Sequence, residues 1–194
     1  MITLALDVDG VLLDPDRAGA GHWSNELTAK FGITRDEFRR AFFMVVWDDV
    51  VNGRRPIEPA LASALESIGS KATVEAVLAC WFEADFVPVP AAIEFARRAA
   101  ASGVRVVLVT NQEHRRARFL ADRLGELIKL DGIVYSADVG VQKHEAKFFD
   151  VATKRLAITD GRRSDVLFVD DTVDNVRQAS ASGWTAIHAD ATGA

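Results

Sequence analysis

The chain of 194 residues contains a single cysteine, Cys80, so no internal disulfide can form and a reducing compartment is the simple expectation. With only five prolines and no low-complexity run, it is neither collagen-like nor a flexible linker. No apolar stretch approaches the roughly 20 residues needed to span a bilayer. The start, Met1-Ile2-Thr3-Leu4, lacks the basic lead of a signal peptide, and a cytoplasmic location is expected. Positive charge is also scarce: 23 Lys and Arg against 28 Asp and Glu give a net charge of -5. That balance argues against nucleic acid or an anionic membrane as the main partner. The histidines, His22, His114, His144 and His188, show no zinc spacing.

What is present is 49% hydrophobic and 26% charged, the composition of a globular domain with room for a small insertion. Three short apolar runs bounded by turn residues read as buried parallel strands: Ile2 to Leu6, Val104 to Val109 and Val166 to Val169. Gly132 to Tyr135 and Trp184 to His188 are weaker strands. Between the last four lie helical periodicities over Glu113 to Leu124, about Glu145 to Ala157, and about Val173 to Ser182. Alternation of strand and helix from residue 104 onward predicts an α/β fold with a parallel sheet covered on both faces.

The stretch between the first two strands reads differently, with several amphipathic helices and no convincing strand. Thr34 can cap a helix that starts at Arg35 and presents Phe38, Ala41, Phe42 and Val45 on one face. Further helices run from Pro56 and Pro59 towards Ile68, from Thr73 to Ala84, and from Pro88 and Pro90 to about Ala101. The last is expected to return to the sheet. The domains are then a core of residues 1–15 and 88–194 and a helical insertion of residues 16–87. Trp47, Trp81, Phe42, Phe43 and Phe82 are most simply the insertion's core, Cys80 is inert among them, and the tail 189–194 is frayed.

In open parallel sheets, ligands bind at the carboxyl ends of the strands. The first strand ends in Asp7-Val8-Asp9-Gly10-Val11, where Asp7 and Asp9 point the same way. The second ends in Thr110-Asn111, and the strand at Val166 ends in Asp170-Asp171, with Asp174 close behind. Lys143 lies after the third. A pair of carboxylates ~4 Å apart repels by about 4 kcal/mol at an effective dielectric of about 20. Several such pairs become tolerable with a hard divalent cation among them, and Mg²⁺, with oxygen ligands and substrate phosphate, is the natural choice. A lysine and a hydroxyl beside it would hold a phosphate.

These residues resemble the four ordered motifs of the haloacid dehalogenase superfamily, in its phosphatase branch: Asp7-Val8-Asp9-Gly10-Val11, Val109-Thr110-Asn111, Lys143 in Gly140-Val141-Gln142-Lys143, and Phe168-Val169-Asp170-Asp171-Thr172-Val173-Asp174-Asn175. The resemblance implies a Rossmann-like three-layer sheet of order 5-4-1-2-3 with an all-helical cap after strand 1, where the insertion was read. It also implies that Asp7 attacks phosphorus to form an aspartyl-phosphate. Asp9 would protonate the leaving group, then activate water, and lend its backbone carbonyl to Mg²⁺. Asp171, assisted by Asp170, would complete the metal site, and Thr110 and Lys143 would bind the phosphoryl group. In that branch a proline commonly follows the lysine; here it is His144, with a second lysine, Lys147, one turn on. The aspartate at position 9 favours phosphoryl transfer over carbon–halogen cleavage.

The expected function is thus a Mg²⁺-dependent phosphatase acting on a small phosphorylated metabolite such as a sugar phosphate, as monomer or homodimer. Alternatives are a phosphomutase with the same nucleophile and a non-catalytic module that binds metal or accepts a phosphoryl group. Thr110, Asn111, Lys143 and Arg55 are the candidate substrate contacts. Arg54 and Arg55 also suit a solvated turn; Arg115 and Arg116, which follow the second motif, could approach the phosphate but better suit an exposed helix face; and Asp174 suits the first turn of a helix.

Overall fold

The first strand, β1 (Thr3–Leu6), is apolar apart from its first residue and buried along its whole length, as a strand covered by helices on both faces must be. A computed structural model of the chain describes residues 2–14 and 23–189. Beside β1 lie β2 (Arg105–Thr110) and β4 (Val166–Asp170); β3 (Ile133–Tyr135) and β5 (Thr185–His188) form the edges. All pairings are parallel, and the order β3-β2-β1-β4-β5 is the expected one. Because Leu6 is level with Leu108 and Val169, the chain leaves β1, β2 and β4 at one edge, where the motif residues gather.

One face of the sheet buries Leu4, Leu6, Val106 and Leu108 with Ile93, Leu120 and Leu124; the other buries Ala5, Val107, Val109 and Phe168 with Phe148, Phe149 and Trp184. The covering helices are α6 (Pro90–Ala101) and α7 (His114–Gly125) on the first face, and α9 (Ala146–Arg155) and α10 (Val173–Ala181) towards the second. A short helix, α8 (Ser136–Val139), follows β3, and a 3₁₀ turn (Asp160–Asp165) precedes β4.

The insertion is all-helical within the described residues: α1 (Ser24–Phe31), α2 (Arg35–Phe38), α3 (Trp47–Val51), α4 (Ile57–Ser67) and α5 (Val74–Asp85). Thr34 caps α2 in a reciprocal capping box with Glu37, and Thr73 caps α5 by accepting from the Ala76 amide. Trp23, Phe38, Phe42, Trp81 and Phe82 bury themselves together with Cys80, and Phe43 and Trp47 pack against them, as the aromatic spacing predicted. Val45 departs from expectation and is exposed. A π-helical turn over Arg39–Phe43, with the Met44 amide bonded back to the Arg39 carbonyl, widens the helix and rotates Met44 and Val45 to solvent. The expected cap boundary at residue 16, His22 and residues 190–194 lie outside the described residues.

Two seams join cap and core. At one, α3 leads to Asn52-Gly53, which lies against α8: Ser136 donates to the Val51 carbonyl at 2.6 Å. Gly53 has φ +70°, and any Cβ there would collide with the Ala137 carbonyl. At the other, α7 meets the end of α5. Phe119 packs on Phe82 and Phe86, while Arg123 lies over Phe86 at 4.7 Å and pairs with Glu83.

Candidate active site

Asp7 follows β1 directly, and its amide still bonds the Val169 carbonyl, so the strand fixes its backbone. Its carboxylate accepts from the Val8 amide at 2.8 Å and meets the Lys143 ammonium at 2.6 Å. The same ammonium reaches Asp170, also at 2.6 Å, and lies over the Phe168 ring. Lys143 is almost wholly buried whereas Lys147 is exposed, so Lys143 is the lysine brought to this edge. Asp170 is buried too and accepts from the Thr172 amide and the Asn175 side-chain amide. Asn175 thus orients the carboxylate that orients Lys143.

Asp171 completes a cluster with Asp7 and Asp170, in which one carboxylate oxygen of each lies within 4.8 Å of the others. Room for Asp171 comes from Gly10, whose φ is +78° and whose missing Cβ would overlap that carboxylate. Three carboxylates against one ammonium leave a formal excess of two negative charges, the charge of a divalent cation, and every donor is a hard oxygen. The residues present therefore fit a Mg²⁺ ion. Burial raises the Asp7 carboxyl to about 7, against the lowering pull of Lys143 and with a further push from Asp170. Asp171 is likewise raised, by burial and by Asp170. For Lys143 burial acts downward, but Asp7 and Asp170 outweigh it and hold the ammonium above its usual value.

Asp9 is turned away from this cluster. One carboxylate oxygen accepts from the Arg116 guanidinium at 2.8 Å, and the other accepts from Arg116 and from the Gln112 amide, both at 2.7 Å. Desolvation pushes Asp9 up, but the Arg116 charge and these hydrogen bonds prevail and hold it below the usual carboxylate value. Gln112 also accepts from Arg116 and reaches the Thr110 hydroxyl at 3.4 Å.

Of the candidates read from the sequence, Asp7, Lys143, Asp170 and Asp171 come together, with Asp9 and Thr110 joined to one another through Gln112. Asn111 accepts from the Lys143 backbone amide at 2.9 Å and so ties the loop after β2 to the loop that carries Lys143. Asp174 pairs on the surface with Arg177. Arg54 pairs with Asp48 and Asp49 on the exposed cap surface, and the half-buried Arg55 bonds Asp49 through its backbone.

Arg116 corrects the sequence reading. Expected on an exposed face, it is only 4% exposed, because it lies one turn ahead of Leu120 on the inward stripe of α7 and is neutralised there by Asp9 and Asp85. Its neighbour Arg115 does face outward and pairs with Glu58 of α4. The available signal was the spacing: Arg116, Leu120 and Leu124 share one helical face. Glu113 caps α7 through the Arg115 and Arg116 amides and is itself buried.

No curated protein matches this sequence. Solved structures do match it in fold. A HAD family enzyme, BT-2542, from Bacteroides thetaiotaomicron, in complex with magnesium and inorganic phosphate, is 16% identical over 99% of this chain and 96% of its own, with a TM-score of 0.76. A HAD phosphatase from Thermococcus onnurineus is 21% identical over 100% of this chain and 88% of its own, with a TM-score of 0.64. A dehalogenase is 16% identical over 100% of this chain and 87% of its own, at 0.65. Fold alone therefore does not separate these chemistries. The sequence model of the haloacid dehalogenase-like hydrolases matches residues 2–183, and the chain belongs to that hydrolase family.

Proposed function

We propose that this hydrolase is a Mg²⁺-dependent phosphatase that cleaves a small phosphomonoester through an aspartyl-phosphate on Asp7. The observation that carries the reading is the buried Lys143 ammonium shared by Asp7 and Asp170 beside Asp171, at the edge where Asp9 and Thr110 also end. The magnesium and phosphate bound by the similar enzyme BT-2542 agree with that donor set. Asp7, Asp170, Asp171 and the Asp9 backbone carbonyl would hold the ion, which when bound neutralises phosphate charge.

In the first step an Asp7 carboxylate oxygen attacks phosphorus, the bond to the leaving oxygen breaks, and Asp9 gives that oxygen a proton. In the second, water attacks the aspartyl-phosphate, Asp9 takes its proton, and the bond from phosphorus to Asp7 breaks to restore the carboxylate. Thr110 and Lys143 hold the transferring phosphoryl oxygens, and Asn111 and Arg55 support the substrate. The cap excludes bulk water during transfer. Asp9 argues for this chemistry over dehalogenation, since a halide is too weak a base to need a proton while an alkoxide requires one.

The test is phosphate release from a panel of sugar phosphates, nucleotides and small organic phosphates, with and without Mg²⁺. Metal-dependent turnover that disappears in Asp7→Asn is expected, and Asp9→Asn should lower kcat by ~10²–10⁴-fold. Undiminished turnover in Asp7→Asn refutes the covalent route. Isomerised sugar phosphate in place of free phosphate would reassign the protein as a mutase.

A further inference from the structure

Two of the three clustered carboxylates are tethered from several sides. Asp7 is held by the Val8 amide and Lys143, and Asp170 by Lys143, Asn175 and the Thr172 amide. Asp171 differs from both. Its carboxylate accepts from the Thr172 hydroxyl, next along the chain, at 3.3 Å, and Gly10 leaves room for it without gripping it. Among the described residues, the hydrogen bond that Asp171 receives from outside its own loop is to its backbone: the carbonyl meets His188 Nε2 at 2.8 Å. A carbonyl can only accept, so His188 donates, and the neutral ring protonated at Nε2 and the cation can both do so. Topology brings His188 there. It ends β5 level with Asp170, and the Ala189 amide bonds the Asp170 carbonyl, so the edge strand runs on beside the loop that it supports.

The geometry points to His188 as a positioning residue of the metal site: by anchoring the Asp171 carbonyl, it fixes the loop from which the least tethered of the three carboxylates reaches Mg²⁺. This inference rests on the metal site of the phosphatase reading and adds a residue that lies outside the four motifs. A carboxylate on a loop that is already ordered loses less conformational freedom when the ion binds, and the difference appears as affinity. Asp7 and Asp170 need no such support, because Lys143 orients both. The site therefore draws on three strands, with β1 and β4 carrying the carboxylates and β5 carrying the tether.

The experiment is calorimetric titration of the whole chain with magnesium chloride, together with Tm measured without metal. His188→Ala removes the donor, whereas His188→Gln keeps an amide N–H at similar reach. The magnesium Kd should rise several fold in His188→Ala, less than the ~10–100-fold typical when a partner of the ligand atom itself is lost. His188→Gln should recover most of the wild-type affinity. Because the side chain is exposed at a strand end, the metal-free Tm should stay close to that of the wild type in both variants. A lowered metal-free Tm with unchanged magnesium affinity would make His188 merely structural and overturn the assignment. Equal weakening in the two variants would overturn it as well, since the donor would not then be what matters. A wild-type chain that binds no magnesium, with or without inorganic phosphate, would instead overturn the metal site itself.

Discussion

Asp7 is asked to be an anion in a place where burial and Asp170 both oppose its charge, and Lys143 only partly compensates. With its carboxyl raised to about 7, folding favours the protonated form over the anion. The stability from this group is therefore present below the ordinary value of 3.8 and is lost as pH rises through about 7. A divalent cation competes with that proton, so Mg²⁺ should raise Tm more near pH ~8 than near pH ~5.5. Scanning calorimetry at both values checks the sign, and a larger shift on the acid side would contradict it. Gly10 supports the same centre by absence. Gly10→Ala would force an L residue into the left-handed region, at about 1–2 kcal/mol, and drive its methyl into the Asp171 carboxylate. The Mg²⁺ concentration for half-maximal activity should rise at least several fold; a wild-type magnesium titration would remove Asp171 from the metal site.

At the scale of elements, the sheet was legible because a strand buried on both faces must be apolar throughout, and β1, β2 and β4 are such runs ending in polar residues. The helical insertion was equally legible from Thr34, Thr73 and the prolines, whose local chemistry starts a helix whatever surrounds it. Three features were hidden because they depend on contacts distant in sequence. The π-helical turn that exposes Val45 has no composition of its own. The short α8 matters only because the cap rests on it, and Arg116 is disguised by Arg115 beside it. Gly53, just before the Arg54–Arg55 turn, lies where any Cβ would run into the Ala137 carbonyl of α8. Gly53→Ala should therefore lift α3 away from α8 and lengthen the Ser136 hydrogen bond, a loss of about 0.5–1.5 kcal/mol before any backbone strain. The expected readout is a lower Tm with a raised KM; an unchanged KM would separate this seam from substrate binding.

For the whole molecule, the arrangement is three hydrophobic clusters, two of which, the one in the helical insertion and the one on the sheet's first face, are served by a single helix. The cap aromatics form one cluster and the sheet's first face another, and Phe119 packs against each. With Arg116 and Arg123 it forms a stripe on α7 at helical spacing, which meets Asp85, Phe82, Phe86 and Glu83 at the end of α5. Cap position and the Asp9 carboxylate are thus referred to the same helix, through Phe119 by packing and through Arg116 by charge. Phe119→Ala should loosen the packing while leaving the metal cluster on β1 and β4 untouched. Full burial would make the loss ~3–5 kcal/mol, and Phe119, only partly buried, should cost roughly half of that. The loosened seam should show as faster proteolytic cleavage in the linker after α5, residues 86–89, with the Mg²⁺-induced rise in Tm retained. Cleavage at the wild-type rate would mean that the ion pairs alone hold the cap, whereas loss of the magnesium effect would mean that the two cores do not respond independently.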